Sequence, residues 1–288
     1  MGDLVQALLN GLMAGSIYGL IAVGLAIVYG VMHIPHFALG AHVMVGAYVT
    51  YLLTSAGVNY WLALLVATTV LGAFGAVVHW GIFDPLRGKP HTTLFIAAFG
   101  LLLLLQGVAL LWFGPDNRIV PPAVEGSVSI LGVAVTYQRL IIIIVAGAAF
   151  AGVHLLLNKT PVGRSIRAVA QEPFGARVVG ISPRRMAYLA MFLGSALAGL
   201  AGSLLAPISQ VFPTLGDALV LKAFVIIILA GMGSILGAMI SGLAVGLIEA
   251  LASSYVSADW SAAYALVLLL VVLAVRPQGL FGKRGRTA

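Results

Sequence analysis

The fold class this sequence predicts is an all-α integral membrane protein with about eight hydrophobic spans. Three observations predict it. Of 288 residues, 61% are hydrophobic and only 8% charged, too few to cover a water-soluble domain of this size. The apolar residues fall in runs, many close to the ~20 needed to cross ~30 Å of hydrocarbon. Twelve of the fifteen Lys and Arg residues lie in three short stretches: Arg87 and Lys89; Lys159, Arg164, Arg167, Arg177, Arg184 and Arg185; and Arg276, Lys283, Arg284 and Arg286. Positive residues in short loops stay on the cytoplasmic side, so the stretches mark one face of a multi-pass chain and put the C-terminus in the cytoplasm.

A single transmembrane domain over 1–288 is expected. The formal charge of +7 flanks spans and forms no continuous patch. It therefore reads as topology and anionic lipid headgroups, with no nucleic-acid partner. The absence of cysteine excludes disulfides, thiol catalysis and thiolate metal sites.

The spans are expected at 4–31, 39–55, 60–82, 93–113, 139–157, 185–206, 218–250 and 261–275. The first lacks a basic n-region and is too long for the h-region of a signal peptide, so it reads as a retained helix. After it, His33-Ile34-Pro35-His36-Phe37-Ala38-Leu39-Gly40 forms a polar interruption bearing Pro and Gly. Continuous spans place Met1 outside, whereas a re-entrant first motif reverses that. The 114–138 loop carries Pro115, Pro121 and Pro122 and balanced charges (Asp116, Glu125, Arg118, Arg139), as expected on the non-cytoplasmic side. Alternation through Val128, Ile130, Val133 and Val135 around Leu131-Gly132 predicts a small hairpin.

A parity count applies to the second half. From Arg185 to Arg276 the chain must return to its starting side, and spans 185–206 and 261–275 already supply two crossings. The 218–250 stretch must then start and finish outside. Ala230-Gly231-Met232-Gly233-Ser234-Ile235-Leu236-Gly237 breaks it into two half-helices, since each glycine weakens a helix interior by about 1 kcal/mol relative to alanine. Irregular backbone at membrane depth must be buried in protein or line a cavity. Interrupted segments in both halves are a pointer to an inverted repeat around a central pathway. On this reading His36, Gly40, Gly231, Gly233, Ser234 and Gly237 belong to that pathway. Small residues at four-residue spacing (Gly11, Gly15, Gly19; Gly194, Ala198, Gly202; Gly242, Gly246) suit close helix approach in lipid.

Residues 159–185 form more than a connector. Thr160-Pro161 and Ser182-Pro183 are helix-start signals, and Gly180 is a C-terminal cap. Val162, Ile166, Val169, Ala170, Phe174 and Val178 recur at helical spacing, with Arg164, Arg167, Gln171 and Arg177 on other faces. Pro173 makes a bend. An amphipathic helix–bend–helix of this kind either lies on the lipid surface or docks into a groove of a cytosolic partner.

Lys222 and Glu249 fall in membrane segments, where an unpaired charge costs several kcal/mol. They either pair with each other or snorkel to the interface, or they line the pathway. His33, His36 and His42 have no acid or cysteine nearby to complete a metal site. His79 and His154 read as interfacial or packing residues. Gly231-Met232-Gly233-Ser234 has no preceding strand and is no phosphate loop. No catalytic triad or paired carboxylate stands out.

Gly163-Arg164-Ser165-Ile166-Arg167-Ala168-Val169-Ala170-Gln171-Glu172, with Ala176 and Gly180-Ile181, resembles the cytoplasmic loop of ABC importer permeases of the branched-chain amino acid (LivH) type. Lys222-Ala223-Phe224, Gly231 to Met239, Gly246 to Ala250 and Arg276-Pro277-Gln278-Gly279-Leu280-Phe281-Gly282 are similar to the same family, as are Gly11–Tyr29, Pro85 to Gly88 and Phe113-Gly114-Pro115. The likeness covers nearly the whole chain in order. It departs at the first interruption, where the family reads Ile-Asn-Phe-Ala-His-Gly and this chain has Pro35-His36-Phe37-Ala38-Leu39-Gly40 with Ala41 next.

The resemblance implies an ABC importer permease fold in a bacterial inner membrane, with no enzymatic activity of its own. It also implies a second permease subunit, two cytosolic ATPases and a periplasmic solute-binding protein. The chain lacks Gly-x-x-x-x-Gly-Lys-Ser/Thr, so ATP and Mg²⁺ belong to the ATPases and no cofactor is expected here. Arg164, Arg167, Ala170, Glu172 and Gly180 are then expected at the ATPase interface. The alternative is an ion-coupled secondary transporter of small polar solutes, for which only Glu249, Lys222 and the His36 region could relay charge.

Overall fold

The computed structural model describes residues 2–130 and 133–282. The hairpin tip Leu131-Gly132 and the basic residues Lys283, Arg284 and Arg286 lie outside the described residues. Among the described residues the chain forms α1 (Gly2–Met32), α2 (Leu39–Ser55), α3 (Tyr60–Val78, extended by a π turn, His79–Phe83) and α4 (His91–Phe113). A β1–β2 hairpin (Ser127–Ile130, Val133–Thr136) leads into α5 (Tyr137–Lys159), then α6 (Pro161–Gln171) and α7 (Pro173–Val178). The order ends with α8 (Pro183–Leu205), α9 (Leu215–Ala230), α10 (Ile235–Tyr255) and α11 (Ser261–Val275). Six helices are long and apolar enough to cross a bilayer, and α2 and the 263–275 part of α11 are shorter apolar helices.

Arg87, Lys89, Arg164, Arg167, Arg184 and Arg276 gather at one end, here called the basic end. α1 starts at the opposite end, where Gly2 lies against Val133 and Arg139 donates to Asn10 at 2.7 Å. It finishes at the basic end with Gly30 beside Ala170 of α6. The first span is thus continuous over 31 residues, and the interruption at 33–38 follows it. His33 holds a positive φ of 56° there, stopping the helix.

Every residue from Gly19 to Val28 is buried. A helix apolar on all sides belongs at the centre of a bundle, and α1 packs on α5, α8, α9 and α10. The glycine stripes explain how closely. A Cβ on Gly11 or Gly15 would come within 2.8 Å of the Leu247 or Leu243 Cα, and one on Gly242 within 2.6 Å of the Gly19 Cα. Gly24 meets Gly194, and Gly46 meets Gly199.

The inverted relation is visible in the packing. α1–α4 and α8–α11 each run as long helix, interruption, short helix, two further helices. α1 packs most extensively on α10 and α8 on α3, so each first helix takes the third helix of the other set. The short helices α2 and α9 meet at their N-termini through Leu39-Gly40 and Leu215-Gly216. A Cβ on Gly40 would come within 2.7 Å of the Gly216 carbonyl oxygen. From that contact α2 runs away from the basic end and α9 toward it.

The break in 218–250 falls where the sequence places it, at Gly231–Ser234, with φ of 91° at Gly231 and 93° at Gly233. Its depth differs from that of a shallow dip. α9 has 16 residues, a length of about 24 Å, and carries the turn to the basic end. α10 returns from there over 21 residues, so α9 and α10 together start and finish on the same side and satisfy the parity. The turn is held by the segment after α11, where Leu280 N–H donates to the Leu229 carbonyl at 2.8 Å and Phe281 N–H to Ala230 at 3.0 Å.

Gly46→Val should overpack the α2–α8 contact, because the new Cβ would sit 2.7 Å from Gly199 Cα. Detergent-purified protein should unfold earlier on heating, by about 1–3 kcal/mol of stability. Gly100→Ala on α4, with nothing within 4 Å, should show no loss.

Candidate functional site

The local chemistry of 159–185 follows its punctuation. Thr160 Oγ1 accepts from Gly163 N–H at 3.0 Å, Glu172 Oε1 from Phe174 N–H at 3.1 Å and Ser182 Oγ from Arg185 N–H at 3.4 Å. Gly180 ends the unit with φ 83°. Gly163 presses on the last turn of α5, at Leu156 and Leu157. Arg167 donates to Asn158 at 2.6 Å, a second tie between α6 and α5. Glu172 is therefore the N-cap of α7, while Arg164 is exposed.

The apolar stripe expected along both helices divides at the bend. Ile166 and Val169 are buried, and Ala176 continues that face. Phe174, Val178 and Val179 instead stand 68%, 73% and 73% exposed. Val162 at the start of α6 is exposed as well, and helical spacing puts Phe174 and Val178 on the apolar stripe. The Pro173 bend rotates α7 and turns them outward, with Arg177 over the Phe174 ring at 5.7 Å. The result is an apolar knob with a cationic rim on the basic end.

Behind it lies a cavity of about 790 Å³, lined by Tyr29 and His33 at the end of α1, Asn158 of α5, Arg167 and Ala170 of α6, and Gly231, Gly233 and Ser234 of the turn. Two groups that are far apart in sequence, the 159–185 unit and the 231–237 turn, thus share one space. Ser234 Oγ caps α10 by accepting from Gly237 N–H at 3.2 Å, and Gly237 packs on Phe281.

Lys222 and Glu249 pair, Nζ to Oε1 at 2.5 Å. Tyr18 of α1 completes the group: Lys222 donates to its hydroxyl at 2.8 Å, and the hydroxyl to Glu249 at 3.4 Å. The ammonium also sits 4.6 Å from the Tyr18 ring centroid. The three helices α1, α9 and α10 are joined at one mid-bundle point. Tyr18 carried no sequence signal beyond lying on an apolar run.

His36 and Gly40 stand apart from the cavity. His36 is enclosed by His42 and Phe83, with ring centroids at 5.6 and 5.1 Å, and Gly40 is the α9 contact. Among the described residues no group of three His, Cys, Asp or Glu has the geometry to hold a metal ion.

At the basic end Asp84, after the π turn of α3, receives Arg184 Nε on both oxygens at 3.0 Å and Tyr188 at 3.3 Å. The Arg184 hydrogen bonds hold its carboxyl below the usual carboxylate range. This clamp joins α3 to α8 across a hundred residues, and no sequence spacing announced it.

A family model described as "Branched-chain amino acid transport system / permease component" matches residues 7–275. The high-affinity branched-chain amino acid transport system permease protein BraD of Pseudomonas aeruginosa is 31% identical, covering 97% of this chain and 96% of that one. LivH of Salmonella typhimurium is 33% identical over the same shares. A probable LivH of Methanocaldococcus jannaschii is 28% identical, covering 91% and 88%. Among solved structures, PsaBC from Streptococcus pneumoniae in complex with Fab aligns with a TM-score of 0.52 at 14% identity, covering 93% and 91%. That likeness supports the fold.

Lys222→Met should leave the Glu249 charge uncompensated and cost on the order of 3 kcal/mol, whereas Lys222→Met with Glu249→Met should cost less than either single change. Thermal unfolding of the four proteins measures the difference. Because the Asp84 carboxyl is depressed on folding, its stabilisation is present above its unfolded value and lost as pH falls through the folded one. The gap in melting temperature between native protein and Asp84→Asn should therefore be open at pH 7 and narrow below about pH 4.

Proposed function

The chain belongs to the family of branched-chain amino acid transport system permease components, and from that premise we propose that it forms half of the membrane path of an ATP-driven importer for branched-chain or related amino acids. The basic end faces the cytoplasm, since short loops rich in Lys and Arg stay on that side. The C-terminal segment lies there, and the hairpin end meets a periplasmic binding protein that delivers the solute. A second permease subunit supplies the other half, and two cytosolic ATPases bind ATP with Mg²⁺. The membrane is a bacterial inner membrane, and the whole of 1–288 acts as one transmembrane unit.

One observation carries the coupling role: a capped helix pair, held between two membrane helices, that exposes Phe174, Val178 and Val179 to water on the basic end. Single exposed apolar residues are ordinary, but two on a six-residue helix with a third at its C-cap fit docking into a groove. Arg164 and Arg167 lie on the adjoining helix, and the Glu172 cap and Gly180 fix the ends of α7. A push on this knob passes along α6, which Gly163 and Arg167 fasten to α5. It then reaches Gly30 of α1 and, across the shared cavity, the Gly231–Gly237 turn. α9 leads from that turn to the Gly40–Gly216 contact, where the two short helices meet. His36 stands at the root of α2, and the Lys222–Glu249 pair ties α9 to α10, so both move with this path.

The double change Phe174→Asp with Val178→Asp should cut co-purification of the ATPases and leucine uptake into proteoliposomes at least tenfold while the permease still folds. Retention of both at native level would sink the coupling role. The substrate class is tested on the binding protein, whose melting temperature should rise with leucine, isoleucine or valine. A rise only with ligands that are not amino acids would remove that assignment.

A further inference from the structure

The acids within the helices are treated differently. Glu249 is neutralised by Lys222. Asp217, in the first turn of α9, has no cationic partner within 4 Å among the described residues, and its hydrogen bond comes from an uncharged amide, Gln106 Nε2 at 2.6 Å. An acid in an apolar helix of a membrane protein is rare and marks a place where charge is used. Gln106 is the one hydrogen-bonding side chain in the run from Leu94 to Phe113 of α4 apart from Trp112. It also lines a concavity of about 470 Å³ at the end opposite the basic residues, together with Leu103, Gly107 and Leu110 of α4 and Pro213 and Thr214 at the start of α9. That volume is within the ~300–1,000 Å³ of small-molecule sites.

Below the concavity the character changes. Phe224 lies seven residues after Asp217, about 10 Å nearer the basic end. Its ring stacks on Phe37 at 4.3 Å, and Phe37 meets Phe95 edge-on at 5.4 Å. These rings come from α9, the 33–38 interruption and α4. Phe95 keeps 39% of its surface exposed and Leu221, between Asp217 and Phe224, keeps 57%. From α4 to α9 the groups run, in order, from an open polar mouth through a carboxylate without a cationic partner to an aromatic closure bridged by Phe37.

We propose that Asp217 receives the ammonium group of the amino-acid solute at the entrance of the path, and that Phe37, Phe95 and Phe224 form the apolar constriction its side chain passes next. The inference rests on the amino-acid importer reading above. A zwitterion with a branched aliphatic side chain fits the order: its cation balances Asp217, with Gln106 holding the carboxylate's other oxygen, and its hydrocarbon meets aromatic faces.

The test uses the full complex with its binding protein in proteoliposomes. Leucine uptake by native protein comes first, because a native complex that imports no amino acid overturns the importer reading itself. Given native uptake, Asp217→Asn should lower it at least tenfold and Asp217→Glu should restore part of the loss. Uptake by Asp217→Asn within twofold of native overturns the proposal. A second measurement is independent of folding at Asp217. The chain has no cysteine, so Thr214→Cys, at an exposed position, gives this subunit a single thiol. Its modification with a charged, membrane-impermeant methanethiosulfonate should abolish most uptake, with native protein under the same reagent as control. Full uptake by the labelled variant overturns the proposal equally.

Discussion

Lipid tails are as apolar as leucine, so helices in a bilayer gain nothing from hiding leucine against leucine, and close packing has to hold them together. In this chain that packing is backbone against backbone at glycine. α1 touches α10 through Gly11, Gly15 and Gly19, α8 through Gly24, and α2 touches α9 through Gly40 and Gly216. Each such meeting depends on a missing Cβ, and together they set the depth and tilt of the other helices. The half-buried pair of Lys222 and Glu249 sits within this frame. With Tyr18 between them, the two charges balance each other where α1, α9 and α10 meet.

Much of the fold was legible in the sequence because it is written in local chemistry. The apolar runs, the Thr160 and Ser182 caps, the Pro173 bend and the Gly231–Gly233 break all depend on neighbours within a few residues. The small-residue stripes were legible as contact surfaces, and the structure supplies their partners within the chain. What periodicity could not supply is distance along the membrane normal. The parity count is satisfied by half-helices of any depth; the structure adds that the turn between them is held by hydrogen bonds from Leu280 and Phe281, fifty residues away.

The residues with candidate roles divide in the same way. The α6–α7 unit announced itself by its caps and its charge. What the sequence left open was which stripe residues pack inward, Ile166, Val169 and Ala176, and which face out, Phe174 and Val178. Lys222 and Glu249 were conspicuous as charges in apolar runs. Asp84 with Arg184, and Asp217 with Gln106, lie about a hundred residues apart in the chain, and only the tertiary fold, α3 packed on α8 in the first case, brings them together.

The strap formed by residues 276–282 has a consequence for the making of the protein. The last carbonyls of α9, at Leu229 and Ala230, are satisfied by N–H groups that leave the ribosome some fifty residues later. Until then those carbonyls must find lipid headgroups, water or an insertion factor, because hydrocarbon offers no donor. Biogenesis therefore closes from its far end. The α9–α10 turn is provisional while the chain is being inserted and becomes fixed only when Leu280 and Phe281 arrive to stitch it.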